Sequence, residues 1–177
     1  MVHGDLKGVK YSVSLASFSL NAASQCNILI DEHGCAIISD FGLSKVMEGM
    51  DKNSSSFAGS MRWMAPELIS ALVNDEGVSP PISTYSDVYA FGAVCLEVVS
   101  ERLPFPHRTN DEAVLIDIMR GVRPCRSEMR GVHLTVDDEE ALWRMLEQCW
   151  GDTRTNRPTM ADLVVFLRTL QCTTMRQ

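Results

Sequence analysis

His3-Gly4-Asp5-Leu6-Lys7 stands at the head of a 177-residue chain, and two further stretches follow it in order: Asp40-Phe41-Gly42 and Gly59-Ser60-Met61-Arg62-Trp63-Met64-Ala65-Pro66-Glu67. Taken singly, the first is an ordinary polar terminus and the second a common turn sequence. What lies between and after them narrows the reading. Residues 26–39 form two short apolar runs around Asp31-Glu32-His33-Gly34, a hairpin signal that delivers Asp40 to the exit of the second strand. From Leu43 to Met61 the chain is polar, with Gly49, Gly59 and the Ser54-Ser55-Ser56 cluster, which predicts a long surface loop. Loops of that length are usually functional or mobile.

After the third stretch the pattern turns helical. Ala65 to Ala71 reads as a short helix, and Asn74 to Pro81 as a loop punctuated by Gly77 and Pro80-Pro81. Ser86 to Val99 is apolar on nearly every face, as expected of a helix inside a domain. Asp111 to Met119 is a shorter amphipathic helix ended by Gly121 and Pro124. Leu142, Met145, Leu146 and Cys149 recur at helical spacing behind the acidic start Asp137-Asp138-Glu139-Glu140, which suits the positive end of a helix dipole. A last helix is predicted with Thr159 as N-cap, Asp162 three residues on, and Leu163, Val164, Phe166, Leu167 and Leu170 as its buried face.

Composition bounds the rest. With 45% hydrophobic residues the chain can bury a core, and its length suits one domain. A net charge of -7 gives no general attraction to nucleic acid or to an anionic membrane, so neither is an expected partner. Six cysteines (Cys26, Cys35, Cys95, Cys125, Cys149, Cys172) show no metal-ligand spacing, and several lie in apolar stretches where a thiol behaves as a small hydrophobe. A reduced compartment, hence a cytoplasmic location, is expected. The longest apolar stretch, Ala90 to Val99, is broken by Glu97 and falls well short of the roughly 20 residues a membrane span needs. Asp5 and Lys7 interrupt the N-terminus before any signal-peptide apolar region could begin.

In their order and spacing the three stretches resemble the catalytic half of a protein kinase. The match covers about residues 1–170, leaving 171–177 as a tail, and the Arg-Trp-Met-Ala-Pro-Glu and Cys-Trp wording is most similar to the tyrosine-kinase-like group of serine/threonine kinases. The resemblance implies a mainly helical C-lobe with a small β-hairpin. It also implies ATP and magnesium as cofactors and a protein hydroxyl as substrate. On that resemblance Asp5 orients the hydroxyl and accepts its proton, and Lys7 neutralises charge on the transferred phosphoryl group. Asn27 and Asp40 hold the metal, oxygen ligands being suited to so hard a cation. Asp40, Phe41, Gly42, Ser60, Ala65, Pro66 and Glu67 belong to the activation segment, with the Ser60 hydroxyl bonding to the catalytic loop. His3, Asp87, Trp150 and Arg157 are structural by the same token: Asp87 bonds the backbone of the catalytic loop, and Arg157 pairs with a buried Glu67, a pair costly to break because one charge would be stranded.

Two departures stand out. Gly4 replaces the arginine usual between the histidine and the aspartate, so the cation that would receive an activation-loop phosphate is missing. Phosphorylation of Ser54, Ser55 or Ser56 would then not switch the site through that pair. The second departure is larger. Asn27 lies 22 residues after Asp5 where the family has five, a surplus of 17. Deleting Val9 to Gln25 restores the spacing, giving His-Gly-Asp-Leu-Lys-Gly-Cys-Asn-Ile-Leu. That segment is Ser-rich, carries a single charge at Lys10 and alternates apolar with polar from Tyr11 to Leu20. Valine codons begin with GT and a glutamine codon can end in AG, so a retained short intron accounts for it, and a true loop insertion is the alternative. Loop-closure entropy alone permits the insertion, at a cost on the order of 1 kcal/mol. Loss of the tight Asp5 to Asn27 geometry is the expected harm.

As read, the chain carries no Gly-rich phosphate loop, no strand lysine to grip ATP and no helix-borne glutamate to pair with it. The expectation is a C-lobe without its N-lobe, whose parent activity is transfer of the ATP γ-phosphate to serine or threonine and which is itself inactive. A non-catalytic pseudokinase or scaffold module is the competing expectation.

Overall fold

The computed structural model describes residues 2–7, 9–11, 27–39, 60–74, 82–129 and 134–174. The expectations for Asp40-Phe41-Gly42, for the loop from Leu43 to Gly59 and for most of the Asn74 to Pro81 loop lie outside the described residues, as does the alternating stretch beyond Tyr11.

Three short strands precede a set of helices. They are β1 (Val9–Tyr11), β2 (Ile28–Ile30) and β3 (Ala36–Ile38), in the order β1-β2-β3. The expected hairpin is β2 and β3, antiparallel with Ile28 opposite Ile38 and Ile30 opposite Ala36. Its turn is built by Asp31, whose Oδ1 accepts from His33 N at 2.9 Å and Cys35 N at 2.7 Å, while Gly34 supplies the left-handed φ of 80° that closes it. The third strand was not expected. Val9–Tyr11, the first residues of the surplus segment, run parallel to β2 with Val9 opposite Ile28 and Tyr11 opposite Ile30.

The helices are α1 (Pro66–Val73), α2 (Thr84–Ser100), α3 (Asp111–Met119), α4 (Val136–Cys149) and α5 (Met160–Thr174). Each start has a sequence cause. Pro66 sits at the first turn of α1, where its missing N–H costs nothing. Ser83 and Ser86 satisfy each other's backbone amides ahead of α2, at 3.3 and 2.9 Å. Asn110 caps α3 through Ala113 N at 2.8 Å, and Thr135 caps α4 through Asp138 N at 3.1 Å. Before α5 the expected box is present: Thr159 Oγ1 accepts from Asp162 N, and Asp162 Oδ2 accepts from Thr159 N.

Helix α2 is central. Val88, Tyr89 and Leu96 are buried on it, and Leu142, Met145, Leu146 and Cys149 of α4 pack into the same core, edge-to-face Trp143 and Trp150 beside them. Gly92 makes the close approach possible, since a Cβ there would lie 2.7 Å from the Cys149 Cβ. Burial pushes the Cys149 thiol up to about 12 and the Cys95 thiol higher still, so both stay protonated and act as packing groups. A second apolar cluster, Leu6, Ile28, Trp63, Ala90, Ala93 and Val94, joins α2 to the strands and to the N-terminal stretch. The last helix departs from expectation. Only Leu163 of the predicted face is buried, Phe166, Leu167 and Leu170 are partly covered, and Val164 is 46% exposed. The helix lies on the outside of the domain and meets the core along a narrow edge, so an apolar run at helical spacing overstates its burial.

Candidate active site

The N-terminal stretch is held to the domain by one carboxylate. Asp87, in the first turn of α2, accepts from His3 N at 2.7 Å and from Gly4 N at 2.8 Å through its two oxygens. Gly4 takes a φ of 84°, a left-handed conformation that the arginine usual at this place would adopt only with strain. His3 is buried; its Nδ1 accepts from Asp5 N at 3.3 Å, which leaves Nε2 to donate to Ser39 O at 2.8 Å. Backbone and ring together thus fix Asp5 over the start of α2 and beside the end of the hairpin.

Four of the predicted side chains, Asp5, Lys7, Asn27 and Ser60, converge there. Lys7 Nζ lies 3.2 Å from Asp5 Oδ2 and donates to Ser60 Oγ at 2.7 Å. Asn27 Nδ2 donates to Asp5 O at 2.6 Å and to Asp5 Oδ2 at 3.0 Å. Lys7 and Asn27 are buried, and the Asp5 carboxylate borders a small cavity with Gly4, Ser60, Trp63 and Met64. The expected loss of the Asp5 to Asn27 geometry does not occur. Asn27 N donates to Lys7 O at 3.0 Å, so the surplus segment leaves and re-enters the site at adjoining points, and the residues flanking it stay in register. Asp40, the other predicted metal ligand, is outside the described residues, as are Phe41 and Gly42.

Ser60 opens a single 3-10 turn, Met61–Trp63, that leads through buried Ala65 into α1. Glu67 on α1 receives both Nη atoms of Arg157, at 2.7 and 2.9 Å. The same guanidinium donates to Tyr85 O and Gly151 O and lies 5.1 Å from the centroid of the Tyr89 ring. Trp150 is buried one residue before Gly151, next to Gly92. Arg157 is therefore a fully paired charge joining α1, α2 and the approach to α5.

Sequence reasoning missed several groups around this frame. Arg62 is only 5% exposed and donates to Asp111 Oδ1, Pro104 O, Phe105 O and Arg108 O. Trp63 Nε1 donates to Glu97 Oε2 at 2.9 Å, and Arg108 forks onto the buried Asp117 at 2.6 and 2.8 Å, holding that carboxyl below the usual range. None of these partners lies within reach of a local spacing rule, being 9 to 49 positions apart in the chain. The only signal was the presence of charged residues inside apolar surroundings.

The family profile of protein tyrosine and serine/threonine kinases matches residues 22–167, and the chain belongs to that family. Its relatives include a light-sensor protein kinase of Ceratodon purpureus, 28% identical over 180 residues that cover 97% of this chain and 12% of that protein. An L-type lectin-domain containing receptor kinase S.1 of Arabidopsis thaliana is 33% identical over 149 residues, 80% of this chain and 22% of the relative. A Raf homolog serine/threonine-protein kinase of Caenorhabditis elegans is 31% identical over 145 residues, 79% of this chain and 17% of the relative. The chain thus spans about a fifth or less of the length of these curated relatives. The mainly helical architecture with its small sheet is that of a kinase C-lobe, and no helix among the described residues is long and apolar enough to cross a membrane.

Proposed function

We propose that this chain is the C-lobe of a serine/threonine kinase of the tyrosine-kinase-like group, with Asp5 and Lys7 as its catalytic pair. The observation that carries the proposal is the convergence of Asp5, Lys7 and Asn27 across 22 positions of sequence. Asp5 would orient the hydroxyl of a protein serine or threonine and take its proton, because its carboxylate is held by Asn27 and Lys7 with a side open to the cavity. Lys7, pinned by Ser60, would place a positive charge where the transferred phosphoryl group develops its negative charge. The donor set fits magnesium: Asn27 spends its amide N–H groups on Asp5, which leaves its carbonyl oxygen for a hard cation, and Asp40 would be the charged ligand. Bound magnesium would neutralise the ATP phosphates.

These 177 residues include no Gly-rich loop or strand lysine to bind those phosphates. A docking module without catalysis is the second reading, for these residues taken alone. Purified chain 1–177 is expected to show no ATP-dependent phosphorylation of generic serine/threonine substrates. Turnover above background that Asp5→Asn abolishes would refute the inactivity; in a form joined to a nucleotide-binding lobe, unchanged turnover on Asp40→Ala would refute the metal assignment.

A further inference from the structure

We infer that Arg62 is a positioning residue that couples the loop between α2 and α3 to the Lys7–Asp5 pair. Its guanidinium is spent on that loop and on the first residue of α3: Nη1 donates to Pro104 O at 2.8 Å and Phe105 O at 3.1 Å, Nη2 to Arg108 O at 2.9 Å, and Nε to Asp111 Oδ1 at 2.8 Å. Four acceptors from one planar fork are a constraint that a lysine, a point charge on a flexible stem, does not reproduce. The loop needs such a brace. Phe105 is buried with a φ of 57°, a left-handed conformation that a bulky side chain rarely takes and keeps only when its surroundings over-determine it.

The other end of the linkage is two residues away. Arg62 sits in the 3-10 turn whose first carbonyl, Ser60 O, accepts from Trp63 N at 3.1 Å, and Trp63 is fastened to Glu97 of α2. Ser60 Oγ in turn holds Lys7 Nζ at 2.7 Å. The turn is too short and too tightly bonded to absorb a displacement of Arg62, so a shift of the loop is passed to the hydroxyl that places Lys7. The Arg62 assignment rests on reading Asp5 and Lys7 as the chemical pair, but the coupling itself can be measured without ATP.

Amide hydrogen exchange, together with the side-chain ammonium resonance of Lys7 in the 15N-lysine-labelled full chain, tests it. Arg62→Gln, Arg62→Lys and Asp111→Asn are compared with Arg144→Gln, a substitution of an exposed residue on α4. Arg62→Gln is expected to speed exchange across residues 104–111 by about tenfold or more and to shift the Lys7 resonance. Arg62→Lys should fall between it and the unsubstituted chain, and Asp111→Asn should give a smaller loop effect with the Lys7 shift still present. Arg144→Gln should change neither readout. Faster loop exchange with an unmoved Lys7 resonance in every folded variant would reduce Arg62 to a local brace and overturn the inference. If Arg62→Gln does not fold, Arg62→Lys and Asp111→Asn decide it. Failure of the Asp5–Lys7 catalytic reading would appear instead, in a form joined to a nucleotide-binding lobe, as turnover insensitive to Asp5→Asn, with the coupling intact.

Discussion

A single hydrogen atom decides how closely the two main helices approach. Gly92 faces the end of α4, and the Cβ of an alanine there would meet Cys149 Cβ at 2.7 Å and Trp150 Nε1 at 2.9 Å. Gly92→Ala removes a helix-weakening glycine, worth about 1 kcal/mol in an exposed helix. It also forces apart two packed elements, at a typical cost of about 1–3 kcal/mol. The clash involves a Cβ on a buried helix, not the far end of a flexible side chain, so the second effect wins. Chemical denaturation should show net destabilisation of Gly92→Ala, and Cys149→Ala should not rescue it because alanine keeps the offending Cβ. A midpoint equal to or above that of the unsubstituted chain would show that α2 and α4 can separate freely. The glycine was visible in Asp87-Val88-Tyr89-Ala90-Phe91-Gly92, but what it approaches was not, since Cys149 is 57 positions away.

At the scale of elements, Tyr89 shows how α2 is locked to its surroundings. Two guanidinium groups lie over its ring, that of Arg123 at 5.9 Å from the centroid and that of Arg157 at 5.1 Å. Burial pushes its phenol up to about 12, with Arg123 and Arg157 opposing the shift. An unfolded tyrosine titrates near 10, so between about pH 10 and 12 the native state keeps a proton that the unfolded state has lost. The stability tied to the neutral phenol is therefore fully present below about pH 10 and lost as pH rises through 12. The rise from about 10 to about 12 corresponds to roughly 2–3 kcal/mol. Denaturant titrations at pH 9 and 11.5 should show a steeper loss for the unsubstituted chain than for Tyr89→Phe. Equal losses would mean that α2 opens before Tyr89 must ionise in place. Sequence periodicity located α2, α3 and α4 and the caps of α5, because caps and apolar spacing are local causes. It overstated the buried face of α5, because burial depends on what stands opposite.

For the whole molecule, the surplus segment is the main question of architecture. Asn27 N already donates to Lys7 O at 3.0 Å. If Gly8 is joined to Cys26, Lys7 and Asn27 become the first and fourth residues of a turn, and that same bond becomes its closing hydrogen bond. Deletion of residues 9–25 is therefore expected to keep the Asp5, Lys7 and Asn27 contacts and the helical core. It removes β1 from the edge of β2, and with it a strand-prone, nearly uncharged run free of proline. We propose that the segment is a retained-intron product or an excisable loop, and expect the shortened chain to match the thermal midpoint of the full one while scattering less light. A lower midpoint with equal solubility would instead make the segment, through β1, a working part of the sheet.

The sequence alone determined the family and the kind of lobe, because the order of three motifs, the helix caps and the apolar periodicities are carried by neighbours along the chain. It also showed that Asn27 stood 17 positions too far from Asp5, and from that spacing a lost geometry was the reasonable expectation. Only the tertiary structure decided otherwise, by closing Lys7 onto Asn27 through one backbone hydrogen bond. The four-way grip of Arg62, the approach at Gly92 and the exposure of α5 were likewise decided in three dimensions. Each depends on groups tens of positions apart, whose distance is set by packing and not by spacing.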